Sequence, residues 1–238
     1  MTGGGETTAQ AAGEGGDGRP VVHVVDDDEA VCASLALLLG SAGLTTRTHR
    51  SGTAFLSSLA DPARGRIGCV LTDVQMPGLD GIELLHRLGA QGFPRPVVVM
   101  SAHSDVGTAL RALRAGAFNI VEKPHDDEAL FAVINDALAA PDTRPRADGP
   151  GAITAVRPDA AGAAARSIAT LSPFERRVLE LLVTGRPNKA VAHDLALTPG
   201  AIEIHRAQIL QRLGVGSLVE AVRLAFWGGL TPAEQPRP

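Results

Sequence analysis

At 238 residues the chain is long enough for one or two domains, each with its own core. Its hydrophobic content of 45% is that of a globular protein. The longest aliphatic run, Leu35 to Leu39, is far too short to cross a bilayer, and residues 1–20 lack the basic start and apolar core of an export signal, so a cytoplasmic protein with no membrane partner is expected.

Charge and residue usage divide the chain further. Residues 20–140 carry 9 basic and 14 acidic side chains, a balance of −5, while residues 166–227 carry 8 and 5, a balance of +3. An acidic front and a mildly basic back imply two domains with different partners. Cys32 and Cys69 lie in apolar patterns with no CxxC pair, as reduced buried thiols do. Of 22 basic residues only Lys123 and Lys189 are lysine, which marks both for roles a planar guanidinium would not fill.

Residues 1–19, rich in Gly, Thr and Ala, read as a disordered tail. Val21 to Val25 is a β-branched strand that ends in Asp26-Asp27-Asp28-Glu29, and Ala30 to Leu39 is a helix stopped by Gly40 and Gly43. Thr45 to Thr48 forms a weaker strand, and Ser51-Gly52 opens a short helix to Leu59. The apolar run Ile67, Cys69, Val70, Leu71 delivers Asp73 and breaks at once into Pro77-Gly78. Asp80 to Leu88 is a helix, Pro96 to Met100 a buried strand, Asp105 to Ala115 a helix, Phe118 to Val121 a strand, and Asp126 to Ala139 a last helix. Five strands alternating with five helices predict a doubly wound, five-stranded parallel α/β sheet over residues 20–140.

Residues 141–167, mostly Pro, Ala, Gly, Asp and Arg, read as a flexible linker. Ser172 at the cap, Pro173 at N1 and Glu175 at N3 then make a capping box, followed by the apolar stripe Phe174, Val178, Leu181, Leu182 and a stop at Gly185. Asn188 to Ala196 is a second short helix, Thr198-Pro199 opens a third through Leu213, and Ser217 to Phe226 is a fourth. A small all-α domain over residues 168–230 fits a helix-turn-helix or a generic helical bundle equally well on periodicity. In the third helix Ile202, Ile209 and Leu213 share the core face. The opposite face carries Gly200, Ile204, Ala207 and Gln211, with Glu203 and Gln208 beside it, small and polar residues around one exposed Ile that suit a major groove. His205, Arg206 and Lys189 flank it and can meet phosphates. Residues 231–238 form a tail.

In a parallel α/β sheet the crevice lies at the carboxyl ends of the strands, which gathers Asp26, Asp27, Asp73, Ser101 and Lys123 at one edge. Each has an ordinary reading alone, Asp73 as a turn former and Ser101 as a cap, but five such residues at strand ends are hard to assign to chance. Carboxylates crowded together repel unless a cation joins them. An all-oxygen set favours Mg²⁺ with several waters and phosphate oxygens. A carboxylate beside that ion, with an ammonium and a hydroxyl facing it, can accept a phosphoryl group as an aspartyl phosphate.

The segments VVDDDEAVCASLALLL, LTDVQMPGLDGIELL, VVVMSAHSDVGTALRALRAGA and EKP closely resemble a response-regulator receiver domain of the FixJ type. The segments LSPFERRVLELLVTGRPNKAVA and IEIHRAQILQRLGV resemble the LuxR-type helix-turn-helix that usually follows it. The resemblance implies Asp73 as phosphoacceptor fed by a partner histidine kinase. It implies Mg²⁺ held by Asp26, Asp27, Asp73 and the backbone carbonyl of Gln75, with Ser101 and Lys123 on the phosphoryl group and a cis bond from Lys123 to Pro124. A DNA-binding output on promoter duplex, as a homodimer when phosphorylated, follows, rather than a turnover enzyme. Four positions depart from the pattern. Ile120 stands where the family has a switching aromatic, and His125 where it has Phe. Gly200-Ala201 stands where the family has a basic residue and threonine, so one phosphate or base contact and one hydroxyl are missing. A phosphohydrolase would want an acid where Gln75 stands, whereas a phosphorylation-independent or RNA-binding adaptor is compatible with those departures.

Overall fold

The computed structural model describes residues 19–61, 66–102, 106–123, 126–140 and 158–230. The expected tails apart from Arg19, most of the expected linker, and Pro124 and His125 with the expected cis bond lie outside the described residues. The first region alternates strand and helix: β1 Pro20–Val25, α1 Glu29–Ser41, β2 Thr45–His49, α2 Gly52–Ser58, β3 Arg66–Asp73, α3 Gly81–Ala90, β4 Val97–Ala102, α4 Val106–Arg114, β5 Asn119–Lys123 and α5 Asp127–Ala139. The strands are parallel in the order β2-β1-β3-β4-β5. The order reverses beside β1, and there the crevice of a doubly wound sheet opens.

Strand side chains alternate between faces, so each strand serves two cores. Val22, Val24, Leu71, Val98 and Met100 pack with Leu35 and Leu39 of α1 and Leu130 and Ile134 of α5. Val25, Val70, Val97, Val99 and Ile120 pack on the other side with Phe55, Leu84, Leu88, Ala109 and Leu113 from α2, α3 and α4. Side-chain oxygens of Asp28, Ser51, Asp80 and Asp126 accept first-turn N–H groups and so start α1, α2, α3 and α5.

One core feature was not visible in the periodicity. His23 of β1 and His49 of β2 are buried, with rings stacked at 5.1 Å and 10° and Nδ1 of the first 2.9 Å from Nε2 of the second. Phe55 meets both rings edge-on. Burial, with Arg47 nearby, pushes the His49 imidazole down to about 4 from 6.5. Such a base is neutral when folded, while the unfolded chain takes up a proton from about pH 6.5 downward. Stability is therefore complete above pH 6.5 and falls as pH drops toward 4. Up to about 3 kcal/mol is expected to be lost across that window. Denaturant unfolding at several pH values checks this, and a His49→Gln variant should lose correspondingly less.

The second region holds α6 Pro158–Ala169, α7 Pro173–Leu182, α8 Asn188–Asp194, α9 Pro199–Leu213 and α10 Leu218–Trp227. Helix α6 occupies part of the stretch expected to be a tether. Ala164 and Ile168 are buried, α6 packs on α10, and a Cβ at Gly228, just beyond α10, would fall 3.1 Å from Ile168 Cγ1, so packing overrides a composition that reads as linker. The capping box forms as expected: Glu175 N–H donates to Ser172 Oγ at 3.2 Å, and Ser172 N–H to Glu175 Oε2 at 2.8 Å. Glu175 also meets Arg212 of α9 at 3.3 Å, tying α7 to α9. Ala196, at φ 53°, makes the left-handed step in the tight turn between α8 and α9.

Candidate functional site

Three strands bring ionised groups together at the carboxyl edge. Asp26, just past β1, is 2% exposed, and Asp73, the last residue of β3, is 8% exposed. Lys123 Nζ lies 2.8 Å from both Asp26 Oδ2 and Asp73 Oδ1. The second oxygen of each acid accepts a backbone N–H, from Asp28 at 3.0 Å and from Gln75 at 2.8 Å. Burial works against the Lys123 charge, but its hydrogen bonds to Asp26 and Asp73 outweigh it and raise the ammonium above the usual lysine range. Lys123 is thus the cation that the crowded carboxylates required.

Ser101 is buried near the end of β4, one position past Met100, the register partner of Asp73. Asp27 is half-buried beside Asp26, and the Gln75 side chain is exposed. The turn after Asp73 is closed by hydrogen bonds from Val74 N–H to the Met100 carbonyl and from Gly81 N–H to the Val74 carbonyl. A Cβ at Gly81 would fall 2.2 Å from the Asp73 carbonyl oxygen, so only glycine allows α3 to start so close beneath the acid. Ile120 is 3% exposed and pairs with Val99, filling the aromatic position with aliphatic core.

Among the described residues no three acid, imidazole or thiol side chains cluster tightly enough to close a metal cage. Mg²⁺ does not need one, since it keeps several waters and uses one or two carboxylates. Asp26 and Asp73 each turn one oxygen to a common point, now taken by the Lys123 ammonium. That oxygen-only pair, with Asp27 beside it, fits a partly hydrated divalent ion.

In the second domain α9 is oriented as its pattern predicts. Ile202, Ile209 and Leu213 are buried, while Gly200, Glu203, Ile204, Ala207, Gln208 and Gln211 are exposed, as is Lys189 on α8. The flanking pair is less open. The His205 ring meets Phe174 edge-on at 4.9 Å, and half-buried Arg206 lines a cavity of about 320 Å³ with Val106 and Gly107 of α4, Arg186 and Leu218. Among the described residues, nothing apart from its chain neighbours and the nearby backbone of α9 lies within 4 Å of where a Cβ would stand at Gly200, so a basic side chain has room there. A Gly200→Arg variant is expected to bind duplex DNA more tightly and to steepen log K against log salt by about 0.9. Affinity measured across a salt series tests it.

The two domains also touch. Helix α10 packs on α4 and β5, and Arg223 donates to Asn119 Oδ1 at 2.8 Å while its guanidinium covers the Trp227 ring at 5.2 Å. Burial lowers the Arg223 guanidinium below the usual arginine range against the opposing charges of Glu220 and Asp136. Sequence reasoning missed this contact, because nothing in a helical pattern says which outer face a second domain will cover.

Residues 22–135 match the family model of the response regulator receiver domain, and residues 169–225 match that of the bacterial regulatory proteins of the luxR family. The chain is similar to the transcriptional regulatory protein FixJ of Azorhizobium caulinodans, at 42% identity over 91% of this chain and 97% of the relative. It is also similar to FixJ of Bradyrhizobium diazoefficiens, at 39% over 88% and 96%. The crystal structure of full-length FixJ from B. japonicum matches at 38% identity, over 89% of this chain and 98% of that one, with a TM-score of 0.47.

Proposed function

Since the chain belongs to the FixJ-type response regulators, which join a receiver domain to a LuxR-type DNA-binding domain, it is a phosphorylation-controlled transcription regulator, and we propose that Asp73 is its phosphoacceptor. The observation that carries this reading is Lys123 Nζ held 2.8 Å from both Asp26 and Asp73 at the sheet edge.

In this reading Asp26, Asp27 and Asp73, with the backbone carbonyl of Gln75, would hold Mg²⁺. That ion, when bound, offsets negative charge on the phosphoryl oxygens. Asp73 supplies the attacking oxygen, a bond forms to phosphorus, and the bond from phosphorus to its donor, a histidine nitrogen of the partner kinase, breaks. Lys123 then turns from the bare carboxylates to a phosphoryl oxygen, and Ser101 donates a hydrogen bond to another. The phosphoryl group is received and later lost as a signal rather than turned over as a substrate.

The output contacts a promoter duplex through α9, with Gly200, Glu203, Ile204 and Ala207 toward the bases and Lys189, His205 and Arg206 toward phosphates. The receiver leaves the reading face of α9 uncovered and occupies α10 instead. Phosphorylation therefore acts by freeing α10 and the α4–β5 surface, which allows two copies to pair on neighbouring half-sites. The test is a duplex gel shift before and after acetyl phosphate with Mg²⁺. Tighter, paired binding after treatment is the expected result, and identical binding in both states would refute phosphorylation control.

A further inference from the structure

The turn that carries the two acids, residues 26–28, is tied to β2 and α1 at several points. Asp26 N–H donates to the His49 carbonyl at 3.1 Å, and the Cys32 thiol donates to the Asp26 carbonyl at 3.3 Å. Arg50, the residue after β2, supplies a further tie. Its Nε and Nη2 donate to the Asp27 carbonyl at 3.0 and 2.7 Å, and its Nη1 to Glu29 Oε2 at 2.9 Å.

That side chain is 57% exposed and still committed to three hydrogen bonds. Its ion pair with Glu29, at the surface, contributes little by itself. What distinguishes Arg50 is the fork on a carbonyl. Two donors on one oxygen fix the plane of the peptide that follows Asp27, and with it the direction in which the Asp27 side chain leaves the backbone. A lysine has a single ammonium and cannot hold the carbonyl from two sides while reaching Glu29.

We infer that Arg50 is a positioning residue of the acid pocket: its fork on the Asp27 carbonyl holds the Asp26–Asp27 turn in the arrangement that takes a divalent cation. The inference rests on the reading in which those two acids bind the ion. Two consequences of the guanidinium oppose each other. Its positive charge repels a cation, an effect screened by salt over about 8 Å at physiological ionic strength. Its hold on the turn favours binding, as outer contacts to metal ligands do, commonly by about 10-fold or more. For an exposed charge and a direct backbone tie, the hold outweighs the repulsion.

The full-length chain is titrated with Mn²⁺ as a Mg²⁺ substitute, free ion being read by electron paramagnetic resonance with no phosphoryl donor present. Arg50→Ala is expected to weaken binding about 10-fold. Arg50→Lys, which keeps the charge and much of the volume, should also bind more weakly than wild type. Binding by Arg50→Ala that is unchanged or tighter overturns the inference, and so does Arg50→Lys matching wild type. A wild-type chain that takes up no Mn²⁺, or takes it up equally well as Asp27→Asn, overturns the acid-pair reading instead.

Discussion

An Asp73→Asn chain is expected to take up no phosphoryl group from acetyl phosphate, with intact mass as the readout, under conditions in which the wild type is modified. The loss should be complete, because the other acids at the edge are poorly placed to replace it. Asp26 is 2% exposed, with one oxygen on Lys123 and the other on the Asp28 N–H. The same change should leave the fold intact. Asn offers Gln75 N–H the oxygen acceptor that the carboxylate now provides at 2.8 Å, and Lys123 keeps Asp26 as its partner. Asp73→Ala would also strand the Gln75 donor, at a cost of about 1 kcal/mol or more if it stayed dry, so the Asn variant separates chemistry from stability more cleanly. Duplex affinity of Asp73→Asn should not respond to acetyl phosphate. A phosphoryl adduct retained by the variant would remove Asp73 from its assigned role.

What could be read from the residues alone was the part of the structure governed by local order. Strand ends carry the acids, so alternation plus the edge rule places Asp26, Asp73 and Lys123 together. The buried side of α9 followed from Ile202, Ile209 and Leu213, and the α7 capping box from Ser172 and Glu175. What escaped was decided by partners far away in the chain. Helix α6 has the composition of a linker and is held by α10, and the His23–His49 pair lies on separate strands of unremarkable pattern. Arg50 reads as one more surface cation until its fork on Asp27 is visible. Lysine usage flagged Lys123 and Lys189 alike, yet only Lys123 is held in an ion pair with two acids, while Lys189 is an exposed side chain on α8.

Removing the Asn119 amide is expected to open the two domains without phosphorylation. Ile120 leaves the aromatic relay of related receivers unfilled, but its neighbours on β5 connect the same two places. Lys123 holds the acids at one end of the strand, and Asn119 holds Arg223 of the output domain at the other. The docked face is poised rather than locked, because Arg223 Nε and Trp227 Nε1 are buried with no hydrogen-bond acceptor among the described residues. Each such donor costs about 1–3 kcal/mol, so the charged bond to Asn119 carries much of what keeps α10 docked. Asn119→Ala leaves the guanidinium without that acceptor, a loss of about 1.5–3 kcal/mol, or roughly a 10- to 100-fold shift toward the open form. Asn119→Asp places a full negative charge against the guanidinium and should shift the balance the other way. Trp227 is the chain's only tryptophan and there is no tyrosine, so its emission reports the interface directly. Asn119→Ala should red-shift that emission and raise the duplex affinity of the unphosphorylated chain, whereas Asn119→Asp should blunt the response of both to acetyl phosphate. If both variants match wild type in emission and affinity, β5 does not carry the signal from Asp73 to α10.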